Sequence, residues 1–460
     1  MPSVFIKTYG CQMNERDSEA VAAQLVAKGY VLAPSEAGAD VILLNTCSVR
    51  DMAEQKALNK MANLAAEARR RPGLVLGFMG CMAQSRGQSL LDQLPDVDLV
   101  LGTQKAHRTA EYLDELLAGR RQKVVDVAGE DGSASAIREH LAAGNGPKAT
   151  TAFVSIMQGC NQRCTFCIVP FTRGEERSRS IPDIVAECRG LVAQGVKEIT
   201  LLGQIVTSYG RRDISVRDGK SPFVQLLDAA HEIDGLERLR FTAPHPKGYG
   251  DDLVDAYARL PKLVESAHIP VQCGSDRVLK LMHRGYTRER FTSIIAQLRR
   301  VQPRMGVTTD FIVGFPGETE ADFEETLSLV REIEFDNAYM FKYSPRKDTP
   351  AATMPDQCPQ EVLEERNQRL LALVNEVAGR KYERYVGERV QILVEGPSRR
   401  NPRRMMGRTR SGKITVFDGS ERHRGELMDV RITRVGAFTL YGDPAVVGMD
   451  GEEGVEALKG

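Results

Sequence analysis

The sequence has little of what marks a membrane or secreted protein. No stretch approaches the roughly 20 apolar residues that span a bilayer, and the start, MPSVFIKTYGCQMN, lacks a basic lead followed by an apolar run. Nine cysteines in 460 residues are too scattered for the disulfide framework of a small secreted domain. We therefore expect a cytoplasmic protein with reduced thiols.

The sequence also lacks a net charge, because 62 basic residues balance 62 acidic ones. Affinity for nucleic acid therefore depends on local clustering of charge. One basic cluster is present, since residues 398–434 contain eleven Lys or Arg against four Asp or Glu, a net charge of +7. This segment predicts phosphate contacts to RNA, and a merely solvated basic surface is the alternative.

The first 120 residues alternate apolar runs with amphipathic stretches. The runs VFIKTYG, DVILLNTC and LVLGFMGC are separated by a predicted helix over residues 15–28 and a second, longer helix. This pattern predicts a parallel α/β domain. Cys11, Cys47 and Cys81 come at the ends of the three runs, where parallel sheets carry ligand-binding residues. We expect them to form one shared cluster, although free cysteines are more often small buried side chains.

A second strand-helix alternation follows a segment rich in charged and small residues. Six runs, FVSIM, KEITLL, RLRFT, AHIPV, VTTDFIV and AYMFKY, predict six strands, and SIPD and TEAD have the capping-box pattern of helix starts. Six βα units predict a partial barrel, with its chemistry in the loops after the strands. Those loops are QGCNQRCTFC, LGQIVTSYG, TAPHP, VQCGS, GFPGE and YSPR.

The last part of the chain has short strand-like runs separated by turns. VQILVEG, KITVF, LMDVRITRV and FTLYGD predict a small β-barrel, so the whole chain is of the α/β class with a C-terminal β-domain. The predicted domains are an N-terminal domain over residues 1–120, a linker over 121–149, a barrel over 150–380, a C-terminal β-barrel over 381–446 and a tail over 447–460.

Three cysteines in the first barrel loop have the spacing C-x-x-x-C-x-x-C. Cys160, Cys164 and Cys167 would place three thiolates on three corners of a 4Fe-4S cubane and leave the fourth iron open. The alternative is zinc, but structural zinc takes four protein ligands, and the next cysteine, Cys188, comes 21 residues later in a predicted helix.

This motif in the first loop of a partial barrel resembles that of the radical S-adenosylmethionine (SAM) superfamily. The resemblance implies that SAM binds the open iron and that an electron from the cluster cleaves it to a 5′-deoxyadenosyl radical. The cofactor then carries the difficult step.

The motifs YGCQMNERDSE, NTCSVRD and GCMAQ, with the barrel and its tail, resemble the methylthiotransferases over nearly the whole chain. The resemblance implies a second 4Fe-4S cluster on Cys11, Cys47 and Cys81, and a C-terminal TRAM domain. The sequence GCQMN resembles those members that add a methylthio group to carbon 2 of N(6)-dimethylallyladenosine next to the anticodon of tRNA. That C–H bond is unactivated, so a radical must remove the hydrogen, and the second cluster would present the sulfur.

Other barrel motifs are predicted to surround SAM. These residues are Gly203, Gln204, Gln272, Ser275, Gly314 and Gly317, and for each glycine an ordinary turn is the alternative. Arg173, Arg177 and Arg179 are predicted to meet phosphate or the cofactor carboxylate, with a solvated loop as the alternative. Structural roles are expected for Cys188, Cys273, Cys358 and His283.

Two other functions stay open from the sequence. One is methylthiolation of an aspartate in a small-subunit ribosomal protein, and the other is a non-catalytic iron–sulfur protein that binds RNA. The count of three plus three cysteines favours catalysis, because a structural cluster is normally closed by four ligands. We expect a monomer that binds the anticodon stem-loop of tRNA and works with an electron donor and a sulfur donor.

Overall fold

The computed structural model describes residues 1–48, 51–130, 139–141 and 149–445. The predicted tail over 447–460 and the stretches 131–138 and 142–148 of the predicted linker lie outside the described residues. In the described ranges, no helix is long and apolar enough to cross a membrane.

The N-terminal domain is a six-stranded sheet in the order β2-β1-β3-β4-β5-β6, with every pair parallel. Its strands are β1 (Ser3–Tyr9), β2 (Val31–Leu32), β3 (Val41–Thr46), β4 (Val75–Met79), β5 (Leu99–Leu101) and β6 (Val124–Asp126), and its helices are α1 (Gln12–Ala27), α2 (Asp51–Ala68), α3 (Cys81–Arg86), α4 (Ser89–Gln93) and α5 (Thr109–Leu117). Separate apolar clusters pack on the two faces of the sheet, which explains why β3 is buried along its whole length. The predicted parallel α/β fold is confirmed.

Three strands of this sheet have no counterpart in the sequence prediction. β2, β5 and β6 are only two or three residues long, too short to form a recognisable apolar run. β6 pairs with β5 although it lies within residues 121–149, which the composition predicts as a linker. The sheet therefore extends further along the chain than the apolar pattern indicates.

The middle of the chain forms the predicted partial barrel from two parallel three-stranded sheets. The strands are β7 (Thr151–Ser155), β8 (Met157–Gln158), β9 (Arg177–Ser178), β10 (Glu198–Leu202), β11 (Arg238–Phe241), β12 (Ser266–His268), β13 (Gly306–Val313) and β14 (Asn337–Lys342), and the helices are α6 (Val169–Arg173), α7 (Ile181–Ala193), α8 (Pro222–His231), α9 (Asp251–Arg259), α10 (Asp276–Leu281), α11 (Arg288–Val301), α12 (Glu320–Ile333) and α13 (Gln360–Glu383). The sheets have the orders β11-β10-β7 and β12-β13-β14, and a parallel bridge between Leu239 and Leu263 joins them.

Both predicted helix starts in the barrel are confirmed. The Ser180 side chain accepts from the Asp183 amide at the start of α7, and Thr319 and Asp322 form a reciprocal capping box at the start of α12. These caps define the ends of two loops, the one between β9 and α7 and the one between β13 and α12.

The C-terminal domain is a closed five-stranded barrel in the order β15-β16-β17-β19-β18. Its strands are β15 (Arg389–Pro397), β16 (Met405–Thr409), β17 (Ile414–Phe417), β18 (Leu427–Gly436) and β19 (Thr439–Pro444). The β-barrel is confirmed, but β16 was not predicted because it lies inside the arginine-rich segment. Its alternate residues Met405, Gly407 and Thr409 are buried, so the strand follows the period of two despite its charge.

This small barrel docks at the amino ends of the central barrel strands. Lys413 Nζ lies 2.6 Å from Asp336 Oδ1, just before β14, and both side chains are buried. Arg410 pairs with Glu265, just before β12, at 2.8 Å. The Arg238 guanidinium, at the start of β11, donates to the Arg408 carbonyl at 2.7 Å. The two domains are therefore joined by one buried ion pair, one half-buried ion pair and a hydrogen bond from a guanidinium to a carbonyl.

Replacing Lys413 by Met should destabilise the protein, because it leaves the Asp336 carboxylate buried with one lysine fewer. Removing one partner of a buried pair costs about 3–5 kcal/mol, and we expect about 2–4 kcal/mol here since Lys381 still pairs with Asp336. Urea unfolding measures the change. The control is Arg380→Ala, which breaks an exposed pair with Glu376 worth about 0.5 kcal/mol. Equal effects of the two changes would contradict the role assigned to Lys413.

Candidate metal centres

Three cysteines lie at the carboxyl edge of the N-terminal sheet. Cys11 is the N-cap of α1 after β1, Cys47 follows β3, and Cys81 is the first residue of α3 after β4. These three strands are neighbours in the sheet and end side by side in register. The structure thus brings the three cysteines to one edge, as the sequence predicts.

The thiols of this group influence one another. A hydrogen bond from the Cys47 side chain lowers the pKa of Cys11 to about 6, and the positive charge of Arg173 acts in the same direction. Burial raises the pKa of Cys81, while Arg173 opposes that rise. Cys11 is therefore largely a thiolate at neutral pH, the form that binds metals.

Buried asparagines hold the loops that carry these cysteines. Asn14 Nδ2 donates to Asn45 Oδ1 at 3.0 Å, and Asn45 Nδ2 donates to the Asn14 carbonyl at 2.9 Å. Gly80, just before Cys81, has a φ of +91°, and a Cβ atom there would lie 2.1 Å from Asn45 Oδ1. Only glycine fits this close approach without displacing the network.

The second group of cysteines lies in the loop between β8 and β9 at the carboxyl end of β7. The antiparallel β8–β9 pair closes the base of this loop, and the Cys160 amide donates to the Gly174 carbonyl at 3.1 Å. The Cys167 amide donates to the Cys164 carbonyl at 3.1 Å, which folds the segment into a turn. Cys160, Cys164 and Cys167 are consequently held in one compact loop.

A segment at the end of α10 supports the same loop from the other side. The Arg284 guanidinium lies 3.4 Å from the Cys164 sulfur, and the Thr165 amide donates to the Met282 carbonyl at 3.2 Å. His283 Nδ1 lies 2.9 Å from the Arg163 carbonyl, a contact that agrees with its expected structural role. Cys188 and Cys273 pack in apolar clusters of the barrel.

The thiols of the second group lie close together, and the number of cysteines in each group bears on what it can bind. Burial raises the pKa of Cys160 to about 11 and that of Cys167 to about 12, and in both cases Cys164 adds to the rise, so these thiols are neighbours. Within the described ranges, no three His, Cys, Asp or Glu side chains stand as one metal ion requires. A cubane binds each thiolate through a different iron, so its ligands stand further apart. Three cysteines in each group match a cubane with one open iron, whereas structural zinc takes four protein ligands.

Arg173 connects the two groups of cysteines. It is the last residue of α6, which begins two residues after Cys167, and its Nη2 lies 2.8 Å from Asp17 Oδ2 on α1. The same buried guanidinium acts electrostatically on Cys11 and Cys81. The structure therefore places Arg173 beside the N-terminal cysteines, and not among the loops predicted to surround SAM.

The two neighbouring arginines also have protein partners. Arg177 donates to Gln104 Oε1 at 3.0 Å, in the N-terminal domain. Arg179 pairs with Asp183 and Glu187 and donates to the Ser155 carbonyl at 2.7 Å. These contacts join the barrel to its helices and to the N-terminal domain. Both arginines therefore have a structural role.

The other residues predicted around SAM all lie in loops after barrel strands. A Cβ atom at Gly203 would lie 2.6 Å from Met157 Cγ, and Gly317 has a φ of +76°. The Gly314 amide donates to Glu318 Oε1 at 3.0 Å, and the Ser275 hydroxyl donates to Asp322 Oδ1 at 2.7 Å. Gln272 has a φ of +72°. The glycines thus serve close packing and turns, and the Ser275 hydroxyl ties the start of α10 to α12.

Several buried polar atoms in these loops have no hydrogen-bond partner among the described residues. Among them are Gln204 Oε1, after β10, His245 Nε2, after β11, and Tyr343 Oη, after β14. Buried polar atoms without partners are rare in folded proteins and indicate a missing ligand or water. Gln204 was predicted as a ligand-binding residue, whereas His245 was not, although its motif TAPHP stands among the unusual loops.

Family models match all three domains. The model "Uncharacterized protein family UPF0004" matches residues 3–102, "Radical SAM superfamily" matches 154–330 and "TRAM domain" matches 383–445. Among solved structures, the radical S-adenosylmethionine methyltransferase TsrM from Kitasatospora setae, with cobalamin and a [4Fe-4S] cluster bound, has a TM-score of 0.56 at 12% identity. It covers 76% of this chain and 74% of that chain. This likeness concerns the fold alone.

Three relatives that are similar over nearly the full length are each named tRNA-2-methylthio-N(6)-dimethylallyladenosine synthase. The protein of Opitutus terrae is 51% identical and covers 98% of this chain and 99% of its own length. The relative from Akkermansia muciniphila is 50% identical over 96% of this chain and 99% of its own length, and that from Methylacidiphilum infernorum is 50% identical over 98% and 96%.

In the iron-free protein, Cys11 should be alkylated by iodoacetamide with a half-maximal rate near pH 6. Its thiolate fraction rises with pH through the lowered pKa, while Cys160 and Cys167, with pKa values of about 11 and 12, should react slowly below about pH 9. Peptide mapping by mass spectrometry measures each rate. Cys47→Ala should move the Cys11 midpoint up toward about 8.5, the ordinary thiol value, whereas Cys273→Ala should not. Identical pH profiles for Cys11 and Cys160 would contradict this prediction.

Proposed function

The chain belongs to the tRNA-2-methylthio-N(6)-dimethylallyladenosine synthase family within the radical SAM superfamily, and from this membership we propose its reaction. It adds a methylthio group to carbon 2 of N(6)-dimethylallyladenosine next to the anticodon of tRNA. Two 4Fe-4S clusters and SAM are its cofactors. The observation that carries the proposal is the pair of three-cysteine groups, each at the carboxyl end of parallel strands and linked through Arg173.

We assign the two groups of cysteines to different tasks. Cys160, Cys164 and Cys167 would hold the cluster that binds SAM, and Cys11, Cys47 and Cys81 would hold the second cluster. When bound, the first cluster and SAM supply the radical that removes hydrogen from carbon 2, and the second cluster holds the sulfur. The chain's own task is to hold both sites at a fixed separation, which the buried Arg173–Asp17 pair supports.

The loops after β10, β12 and β13 would form the SAM site. We assign Gly203, Gln204, Gln272, Gly314 and Gly317 to it, in line with the sequence prediction. The unpartnered Gln204 Oε1 supports the assignment, because an amide oxygen can accept from an amino group. Ser275 contributes through its backbone, since its hydroxyl is bound to Asp322.

The C-terminal barrel would bind the tRNA backbone with part of its basic segment. Five of the eleven basic side chains pair with carboxylates, namely Arg404, Arg408, Arg410, Lys413 and Arg424. In the part of the chain that the structure describes, six have no carboxylate partner: Arg399, Arg400, Arg403, Arg422, Arg431 and Arg434. Of these, Arg434 stacks on Tyr441 with 3.6 Å between the guanidinium carbon and the ring centre. These six are available for phosphate contacts.

We infer from the tRNA substrate that the protein acts in the cytoplasm, and we propose that it is a monomer. The adenine beside the anticodon is unpaired in the loop, so extruding it into the mouth of the barrel is inexpensive. An electron donor must reduce the first cluster and a sulfur donor must supply the second.

Reconstituted protein should carry about eight irons and form the methylthio nucleoside on tRNA, detected by nucleoside analysis. Changing Cys160, Cys164 and Cys167 to Ala should leave about four irons and abolish reductive cleavage of SAM. Changing Cys11, Cys47 and Cys81 to Ala should also leave about four, but cleavage should persist while the methylthio product is lost.

A triple change at Cys188, Cys273 and Cys358 is the matched control and should keep the full iron content. The assignment fails if tightly bound zinc replaces iron in the wild type. It also fails if the N-terminal triple variant loses SAM cleavage while its barrel cluster is intact.

Changing Arg399, Arg400 and Arg403 to Ala should weaken tRNA binding without affecting SAM cleavage. All three side chains are exposed, and each lost phosphate contact should reduce the slope of log K against log salt by about 0.9 or less. A binding titration at several salt concentrations measures the slope. The control changes Arg70, Arg189 and Arg300, exposed arginines of the other domains. An unchanged slope in the first variant would exclude this surface as the tRNA site.

A further inference from the structure

His245 occupies the loop after β11 at the carboxyl end of the barrel. It is the N-cap of a short 3-10 turn over Pro246–Gly248, and its Nδ1 accepts from the Lys247 amide at 3.2 Å. The residue is only 4% exposed. One ring nitrogen therefore has a defined structural partner.

The ring is neutral, and its hydrogen is on the other nitrogen. Burial lowers the pKa of His245 to about 3, and the nearby charges of Arg284, Lys247 and Arg211 act in the same direction. A neutral imidazole has one donor and one acceptor. Because Nδ1 accepts from the Lys247 amide, Nε2 carries the hydrogen.

This Nε2–H donor lacks an acceptor among the residues that the structure describes. Buried donors in folded proteins are almost always satisfied by protein, water or ligand. A histidine that served only to cap the turn would need no second polar contact, and an aspartate or asparagine would cap as well. The buried donor therefore needs an acceptor that is not one of the described protein atoms, namely water or a bound ligand.

The surroundings of His245 connect it to the radical site. Its ring lies edge-on to the ring of Tyr286, with 5.4 Å between centres, and the Arg284 guanidinium lies over that same ring and contacts the Cys164 sulfur. Its amide donates to Thr207 Oγ1 at 3.1 Å, in the loop after β10. His245 is thus separated from a cluster cysteine by two side chains.

The residues assigned to SAM lie after β10, β12 and β13, so the loop after β11 is free to contact the other ligand, as is the loop after β14. That ligand, on the proposed function, is an adenine whose reacting carbon 2 lies between two acceptors, the ring nitrogens N1 and N3. We propose that His245 is a substrate-binding residue whose Nε2–H donates to N1 or N3 of this adenine and so orients carbon 2. The inference rests on the proposed function and extends it to recognition of the base.

Two variants separate this role from the capping role. His245→Asn keeps a short acceptor for the Lys247 amide but loses the donor at the Nε2 position, whereas His245→Gln keeps a donor near that position and loses the short cap. The substrates are anticodon stem-loop RNAs with N(6)-dimethylallyladenosine or its 1-deaza or 3-deaza analogue. The measurements are kcat/KM for methylthiolation and the Kd of each RNA for the reconstituted enzyme without reductant.

The wild type should lose about 10-fold or more in kcat/KM, with weaker binding, on one of the two deaza RNAs. His245→Asn should show that loss already with the natural RNA and no further loss with the same analogue. His245→Gln should keep part of the discrimination. The control, His231→Asn, removes a ring that also has an unpartnered Nδ1 but lies at the end of α8, and it should behave like the wild type.

Three results would overturn the inference. The first is a wild type that treats both deaza RNAs like the natural RNA. The second is a larger loss in His245→Gln than in His245→Asn, which would make capping the only role. The third is weaker SAM binding by His245→Asn with discrimination between the RNAs unchanged, which would assign the acceptor to the cofactor. Absence of product from the wild type on the natural RNA would instead refute the proposed function itself.

Discussion

The buried ion pair between Arg173 and Asp17 is the contact on which the arrangement of the two cysteine groups depends. Their side chains are 4% and 5% exposed, and a buried guanidinium is costly unless a counter-charge meets it. Asp17 lies about one and a half turns into α1, whose N-cap is Cys11, and Arg173 ends the short helix after Cys167. One pair thus holds the N-terminal sheet and the first barrel loop together at the place where the sulfur atoms gather.

The rest of the architecture follows from the direction of the strands. Both cysteine groups lie at carboxyl ends of parallel strands, so the two sheets must meet through those edges for the sites to act together. The C-terminal barrel is joined through Arg410 and Lys413 to Glu265 and Asp336, at the amino ends of the same barrel strands. Opposite ends of one barrel therefore serve the reaction and the attachment of the RNA-binding domain.

The features that could be predicted from the sequence are those that depend on a short stretch of consecutive residues. Long apolar runs predicted β1, β3 and β4. The spacing of Cys160, Cys164 and Cys167 predicted the first barrel loop as a cluster site, and capping-box patterns predicted the starts of α7 and α12. The strands of two or three residues, β2, β5 and β6, were not predicted, because only their pairing with neighbouring strands defines them. The ion pair of Arg173 was not predicted either, because its partner Asp17 is 156 residues away in the sequence and a local pattern contains no information about such a contact. His245 was missed because an unsatisfied donor is visible only when every neighbour is in place.

The net charge of residues 398–434 overstates the number of cations that this segment can present to RNA. Its net charge of +7 treats all eleven basic residues alike, yet five of them are engaged with carboxylates inside or beneath the small barrel. Lys413 is buried, so its charge serves docking and not phosphate binding. The usable positive charge is the exposed loop with Arg399, Arg400 and Arg403, together with the exposed Arg422 and Arg431 and the Arg434–Tyr441 stack. A positively charged sequence segment becomes a phosphate-binding surface only to the extent that the fold leaves its cations unpaired.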